Sequence, residues 1–121
     1  MSRESRLGTR SLEDFQHKAD EIIRLIDSTP AEEIKRRLLD GERVWQRMGD
    51  GDASFSCTFI LFDRKLPIGY IHETEGSFVY AYDPDDPREP ISIGANVHLG
   101  DAFFRLEEFS DKRFAGQPQI T

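Results

Sequence analysis

Cys57, His72, the acids of residues 83–89 and a tryptophan set between two arginines are the side chains of this chain whose types and spacing could do chemistry. Cys57 and His72 would make a nucleophile and a base if adjacent strands brought them together, with Asn96 or an acid to orient the imidazole. The plainer reading of a lone cysteine in a strand pattern is a small buried hydrophobe, and with no second cysteine it forms no internal disulfide. Asp50, Asp52 and Ser54 match the first three ligand positions of a calcium loop. Phe55 then stands where that loop needs glycine, and Leu61 where it needs the bidentate acid, so the calcium reading fails. Asp83, Asp85, Asp86 and Glu89 are a second oxygen cluster, but Pro84, Pro87 and Pro90 stiffen it without a coordinating pattern, and it reads as a solvated acidic loop. His17, His72 and His98 lack a second histidine or cysteine at zinc-pair spacing. Neither a metal nor a cofactor is expected. Glu73 and Glu75 could act as a paired carboxylate, yet they flank a hairpin loop and read as polar edge residues. With no nucleophile elbow, phosphate loop or dinucleotide fingerprint in the chain, no catalytic residue is assigned, and a small hydrolase or isomerase ranks third among the readings.

Trp45 lies between Arg43 and Arg47, a stacking platform flanked by guanidinium groups that would suit a nucleotide-like anion. With Asn96 these residues form the alternative site, a small-ligand pocket at the sheet edge or a dimer seam. The competing reading is a core tryptophan beneath the helices. Lys35, Arg36 and Arg37 join Arg43 and Arg47 in a local basic cluster, which reads as a solvated helix face.

Charge bounds the partner. The chain has 121 residues and a net charge of −7, with ten basic and ten acidic side chains in residues 1–49 but four and thirteen in residues 50–111. A field of that sign opposes phosphate, so no nucleic acid is expected. The length suits one domain, residues 11–110, between a flexible N-terminus (1–10) and a flexible tail (111–121). The polar first residues and the lack of a long apolar run predict no secretory signal, no membrane span and a cytoplasmic location.

The elements that must position these residues follow from periodicity. Ser11 and Asp14 make a cap ahead of Leu12, Phe15, Ala19, Ile22, Ile23 and Ile26, which predicts a helix over about 11–27. Thr29, Pro30 and Glu32 start a second helix over about 30–40, striped by Ile34, Leu38 and Leu39 and closed by Gly41. Arg43 to Met48 begins a sheet, Asp50 to Asp52 turns, and Ala53 to Leu61 alternates as a strand. Asp63 to Pro67 reads as a connection and Ile68 to Glu73 as a strand. A three-residue loop at Thr74, Glu75 and Gly76, with glycine in the left-handed position, sets the next register. It places His72 opposite Phe78, Ile71 opposite Val79, Tyr70 opposite Tyr80 and Ile68 opposite Tyr82. The rings then share one face, and Gly69, Ile71, Val79 and Ala81 form a small aliphatic face suited to close helix packing. Ile91 to Leu99 is a further strand in which Gly94 suggests a bulge. Ala102 to Phe109 fits a strand or a helix capped by Asp101; the strand is preferred.

The sequence thus predicts an α+β fold, an N-terminal helical hairpin on one face of a mostly antiparallel sheet of about five or six strands. The leading functional expectation is a non-catalytic interaction protein of the inhibitor, immunity or adaptor kind. Its partner-binding residues would be Tyr70, His72, Phe78, Tyr80 and Tyr82 with Asp83, Asp85 and Asp86, and a homodimer through the same face is expected.

Overall fold

In the computed structural model, which describes residues 10–48, 58–86 and 88–115, the chain opens on the helix that Ser11 starts. The Ser11 hydroxyl accepts the Asp14 N–H at 3.1 Å and the Asp14 carboxylate accepts the Ser11 N–H at 3.0 Å, so α1 (Leu12–Ser28) begins with a complete capping box. Thr29 does not cap the next helix. Its hydroxyl donates back to the Leu25 carbonyl at 2.6 Å, and α2 (Ala31–Leu39) starts from Pro30 without a side-chain cap. Gly41 ends the turn after α2 at φ 83°, the left-handed backbone that glycine adopts without strain. Leu39, expected in the apolar stripe of α2, is 66% exposed.

Five strands follow among the described residues, β1 (Val44–Met48), β2 (Thr58–Asp63), β3 (Leu66–Glu73), β4 (Ser77–Ala81) and β5 (Ile91–Val97). They form one antiparallel sheet in sequence order. The β3–β4 register is the expected one, with Tyr70 opposite Tyr80, Ile71 opposite Val79 and His72 opposite Phe78. Two details differ. Gly76 is not left-handed; it is small because a Cβ there would lie 1.9 Å from Asn96 Oδ1. The connection expected over Asp63 to Pro67 is a two-residue hairpin instead, with Arg64 at φ 55° and Lys65 at φ 69°. That turn needs positive φ at both positions, and Arg-Lys lacks the Asn-Gly signature that would announce it. A bulge opposite the Leu61 to Phe62 step turns Ile68 into the core rather than onto the ring face, although the Tyr82 N–H still donates to the Ile68 carbonyl at 2.9 Å.

The region expected as a strand at Ala102 to Phe109 is helical. α3 (Leu99–Phe114) is capped by His98, whose Nδ1 accepts the Gly100 N–H at 2.9 Å, and not by Asp101. It also carries residues 111–114 that the sequence reading gave to the tail. Helical spacing at Ala102, Phe103, Leu106 and Ser110 puts all four inward, where they are fully buried. Phe103 meets Trp45 edge-on at 4.8 Å and Phe59 at 5.1 Å, and a Cβ on Gly69 would collide with Leu106. The small aliphatic face therefore receives a helix as expected, but its central cover is α3. α1 packs beside α3 and β1, burying Ala19 and Ile22, and α2 leans on the β1 edge. Burying Leu106 and Phe103 contributes about 1.5–3 kcal/mol each.

Polar bonds fix α3 on the sheet. Ser110 donates to Asp63 Oδ2 at 2.8 Å and Arg43 Nε donates to the same oxygen at 2.9 Å. Glu107 accepts the Trp45 indole N–H at 3.0 Å and pairs with Lys18 at 2.6 Å, tying α3 to β1 and α1 together. Among the described residues no helix is long and apolar enough to cross a membrane.

Candidate binding face

The period-two geometry of β2, β3 and β4 sends alternate side chains away from the helices. One cross-strand row on that open side runs Gln46, Ile60, Tyr70, Tyr80, and the next runs Met48, Thr58, His72, Phe78. Tyr70 stacks on Tyr80 with centroids 5.1 Å apart and planes at 25°, and it touches Tyr82 at 5.7 Å and 45°. The three tyrosines and Phe78 are half-buried and His72 is exposed. Burial raises the Tyr70 hydroxyl above the usual phenol range, and the adjacent Tyr82 and Tyr80 add to the rise, so it stays protonated as a donor at neutral pH. Ile60, Phe62 and Met48 extend the same side. Sequence reasoning placed the rings but not these neighbours, because they join the face only through the order of strands.

Asp83 follows Tyr82 at the end of β4. Its Oδ1 accepts the Asp85 N–H at 2.9 Å, and Asp86 Oδ1 accepts both the Arg88 N–H and Arg88 Nε at 3.3 Å. The Asp86 N–H donates to the Asp83 carbonyl and the Glu89 N–H to the Asp86 carbonyl, each at 3.1 Å. These acids build successive turns in the segment that follows Tyr82 in the chain. Among the described residues, no three histidine, cysteine or acidic side chains are grouped to hold a metal ion.

The alternative ligand residues are not brought together. Trp45 is buried in the core with its N–H satisfied by Glu107, so neither ring face is open as a platform. Arg43 is engaged by Asp63 and Asp111, and Arg47 pairs with Asp27 at 3.5 Å while lying over the Phe59 ring at 5.5 Å. Asn96 is on β5, the far edge from β1. Four strand spacings of about 4.8 Å separate those edges by roughly 19 Å. Cys57, Asp50, Asp52 and Ser54 lie outside the described residues.

A cleft of about 620 Å³ opens between α1, the β3–β4 hairpin and the start of α3. Gln16, Asp20 and Ile23 line it from α1, and Glu73, Glu75 and His98 from the other side. Burial pushes the Glu73 carboxyl up, against the opposing pull of Arg47. His98 is committed to capping α3, and its ring packs on Phe15 at 5.7 Å.

Comparison of the chain with models of known protein families, with curated proteins and with solved structures gives no match.

Proposed function

We propose that the chain is a non-catalytic interaction protein whose contact surface is the open sheet face, centred on Tyr70, Tyr80 and Tyr82 and continued by His72, Phe78 and the acids Asp83, Asp85 and Asp86. The observation that carries this reading is the stacked tyrosine pair, 5.1 Å between centroids, on a side of the sheet against which none of the described helices packs. Tyrosine suits such a surface. Its ring buries area with few rotamers to freeze, and its hydroxyl keeps the surface hydrated when the partner is absent. A contact of this kind supports an inhibitory, immunity or adaptor role in a cytoplasmic setting, without nucleic acid or a cofactor.

The test is site-specific photocrosslinking in cells. A benzophenone side chain at position 80 should yield one defined protein adduct, identifiable by mass, while the same group at Lys35 on the exposed side of α2 should not. Introducing Tyr70→Ala should remove the adduct. Adducts that are equal from both positions, or indifferent to Tyr70→Ala in a chain with an intact circular dichroism spectrum, would sink the reading. An adduct of twice the chain's mass would make a second copy the occupant.

A further inference from the structure

Resting on the reading of the open sheet face as a protein-docking surface, we infer that its occupant is a basic protein segment, and that the tyrosine row with its acidic margin reads arginine side chains. The argument begins with charge. Along the described rows Gln46, Ile60, Tyr70, Tyr80 and Met48, Thr58, His72, Phe78, no lysine, arginine or carboxylate intrudes. The margin that follows Tyr82 carries Asp83, Asp85, Asp86 and Glu89 against the single cation Arg88, which Asp86 already engages. An approaching cation therefore meets an aromatic platform and a carboxylate rim together.

A second copy of the chain fits this surface poorly. In a symmetric pairing through this face the acidic margin of each copy would meet residues of the other copy's face, and the described rows offer no lysine or arginine to answer it. Apart from Arg88 in the margin, the arginines with described partners are engaged by residues outside these rows: Arg10 with Glu108, Arg36 and Arg37 with Glu33, Arg43 with Asp63, Arg47 with Asp27 and Arg105 with Asp101. A partner from outside must bring the positive charge.

Arginine meets both halves of the surface better than lysine. Its planar guanidinium lies flat on a phenol ring while its edge donates two parallel bonds to a carboxylate. Lysine's ammonium is a strongly hydrated point charge with no flat face. The local turns help here: Asp83 uses one oxygen on the Asp85 N–H, which restrains its carboxylate within the turn that follows Tyr82 in the chain. Immobilising the acid beforehand lowers the entropic cost of each contact.

The experiment is an amide and aromatic NMR titration of the full chain with three synthetic peptides, acetyl-GRGRG-amide, acetyl-GKGKG-amide and acetyl-GQGQG-amide, at low salt. The arginine peptide should shift the ring signals of Tyr70, Tyr80 and Tyr82 and the amides of Asp83 and Asp85, saturating in the millimolar range expected for a two-arginine ligand. The lysine peptide should bind several-fold more weakly, and the glutamine peptide should leave the signals in place. Asp83→Asn with Asp85→Asn, both changes on the loop, should erase the arginine preference and leave the tyrosine signals otherwise unmoved. Equal response to arginine and glutamine peptides would overturn the inference, as would shifts confined to the Asp20, Glu73 and Glu75 cleft. The two levels separate cleanly. Loss of the cellular crosslink with Tyr70→Ala and no arginine preference would leave the docking face standing and remove the arginine assignment, whereas an unaffected crosslink would remove the docking face itself.

Discussion

Gly100 is the residue at which the packing of α1 on α3 is most exposed to test. A Cβ added there would lie 1.8 Å from the Phe15 carbonyl oxygen and 2.6 Å from its Cα, both backbone atoms of α1. A carbon and a carbonyl oxygen normally approach to about 3.3 Å, so α1 must retreat by roughly 1.5 Å at Phe15. Ala19 and Ile22 lie one and two turns along α1 and would lift with it from the core they fill. A gap of 0.5–1 Å already forfeits about a quarter to a half of the dispersion attraction, and overpacking of this kind costs about 1–3 kcal/mol, occasionally more. Alanine's better helix propensity returns less than about 1 kcal/mol in a first turn. The expected net loss for Gly100→Ala is about 1–2 kcal/mol, which for a chain of this size lowers Tm by roughly 4–8 °C. Gly76 is the control, because its added Cβ would sit at nearly the same distance, 1.9 Å, from Asn96 Oδ1. That atom ends an exposed side chain that can rotate away, so Gly76→Ala should cost less than about 1 kcal/mol. Thermal melts followed by circular dichroism and by Trp45 fluorescence decide it. A Gly100→Ala Tm within about 2 °C of the parent, or equal losses at the two glycines, would refute the packing argument.

Asp63→Ala should destabilise by about 2–4 kcal/mol, since it strands the fully buried Ser110 hydroxyl and leaves Arg43 with only the exposed Asp111. Urea unfolding of Asp63→Ala, Ser110→Ala and the double variant should show coupling between them, and simple additivity would contradict a shared bond. Glu73→Gln should stabilise the chain at pH 7, because burial raises the Glu73 carboxyl above 4.5 in the folded state. A raised carboxyl favours folding while protonated and loses that contribution as pH rises through its folded value, so the advantage of glutamine should shrink at pH 4. Melts at the two pH values test this, and a Gln variant less stable than the parent at pH 7 would reverse the sign.

Residues whose signals are local were legible in the sequence. The capping box at Ser11 and Asp14, the left-handed Gly41 and the strand pairs from Tyr70 to Phe78 all follow from spacing over a few residues, and all are present. What was lost depended on contacts distant in sequence. Ser110 reads as the polar end of a domain until Asp63, 47 residues earlier, accepts its hydroxyl and makes it a core residue. Without that bond the pattern at Ala102, Phe104 and Leu106 resembles a strand, and the helical stripe through Phe103, Leu106 and Ser110 looks broken. The Arg64-Lys65 hairpin was invisible for a different reason: neither residue favours positive φ, and the flanking strands impose it. Trp45 shows the limit for sites. The sequence left it between a platform flanked by arginines and a core tryptophan beneath the helices, and the contacts of Glu107 and Phe103 from α3 put it in the core.

The division of labour between the two sides of the sheet bears on what the tyrosines are for. Phe59, Leu61, Ile71, Val79 and Ala81 are fully or almost fully buried on the side that α3 and α1 cover. Ile60, Tyr70, Phe78 and Tyr80 alternate with them and occupy the positions that an antiparallel sheet with one wet face normally gives to polar residues. Folding does not need rings there, and solubility disfavours them. The edges offer a partner less. α2 leans on β1, and β5 is broken by register shifts and carries a left-handed Asn96 at φ 57°, devices that discourage strand addition. Among the described residues neither the core nor the edges explain this surface, and side chains that hydrate when empty and bury area when filled fit the reversible protein contact proposed above. Because that surface stands apart from the core, substitutions within it can abolish a contact while leaving the fold intact.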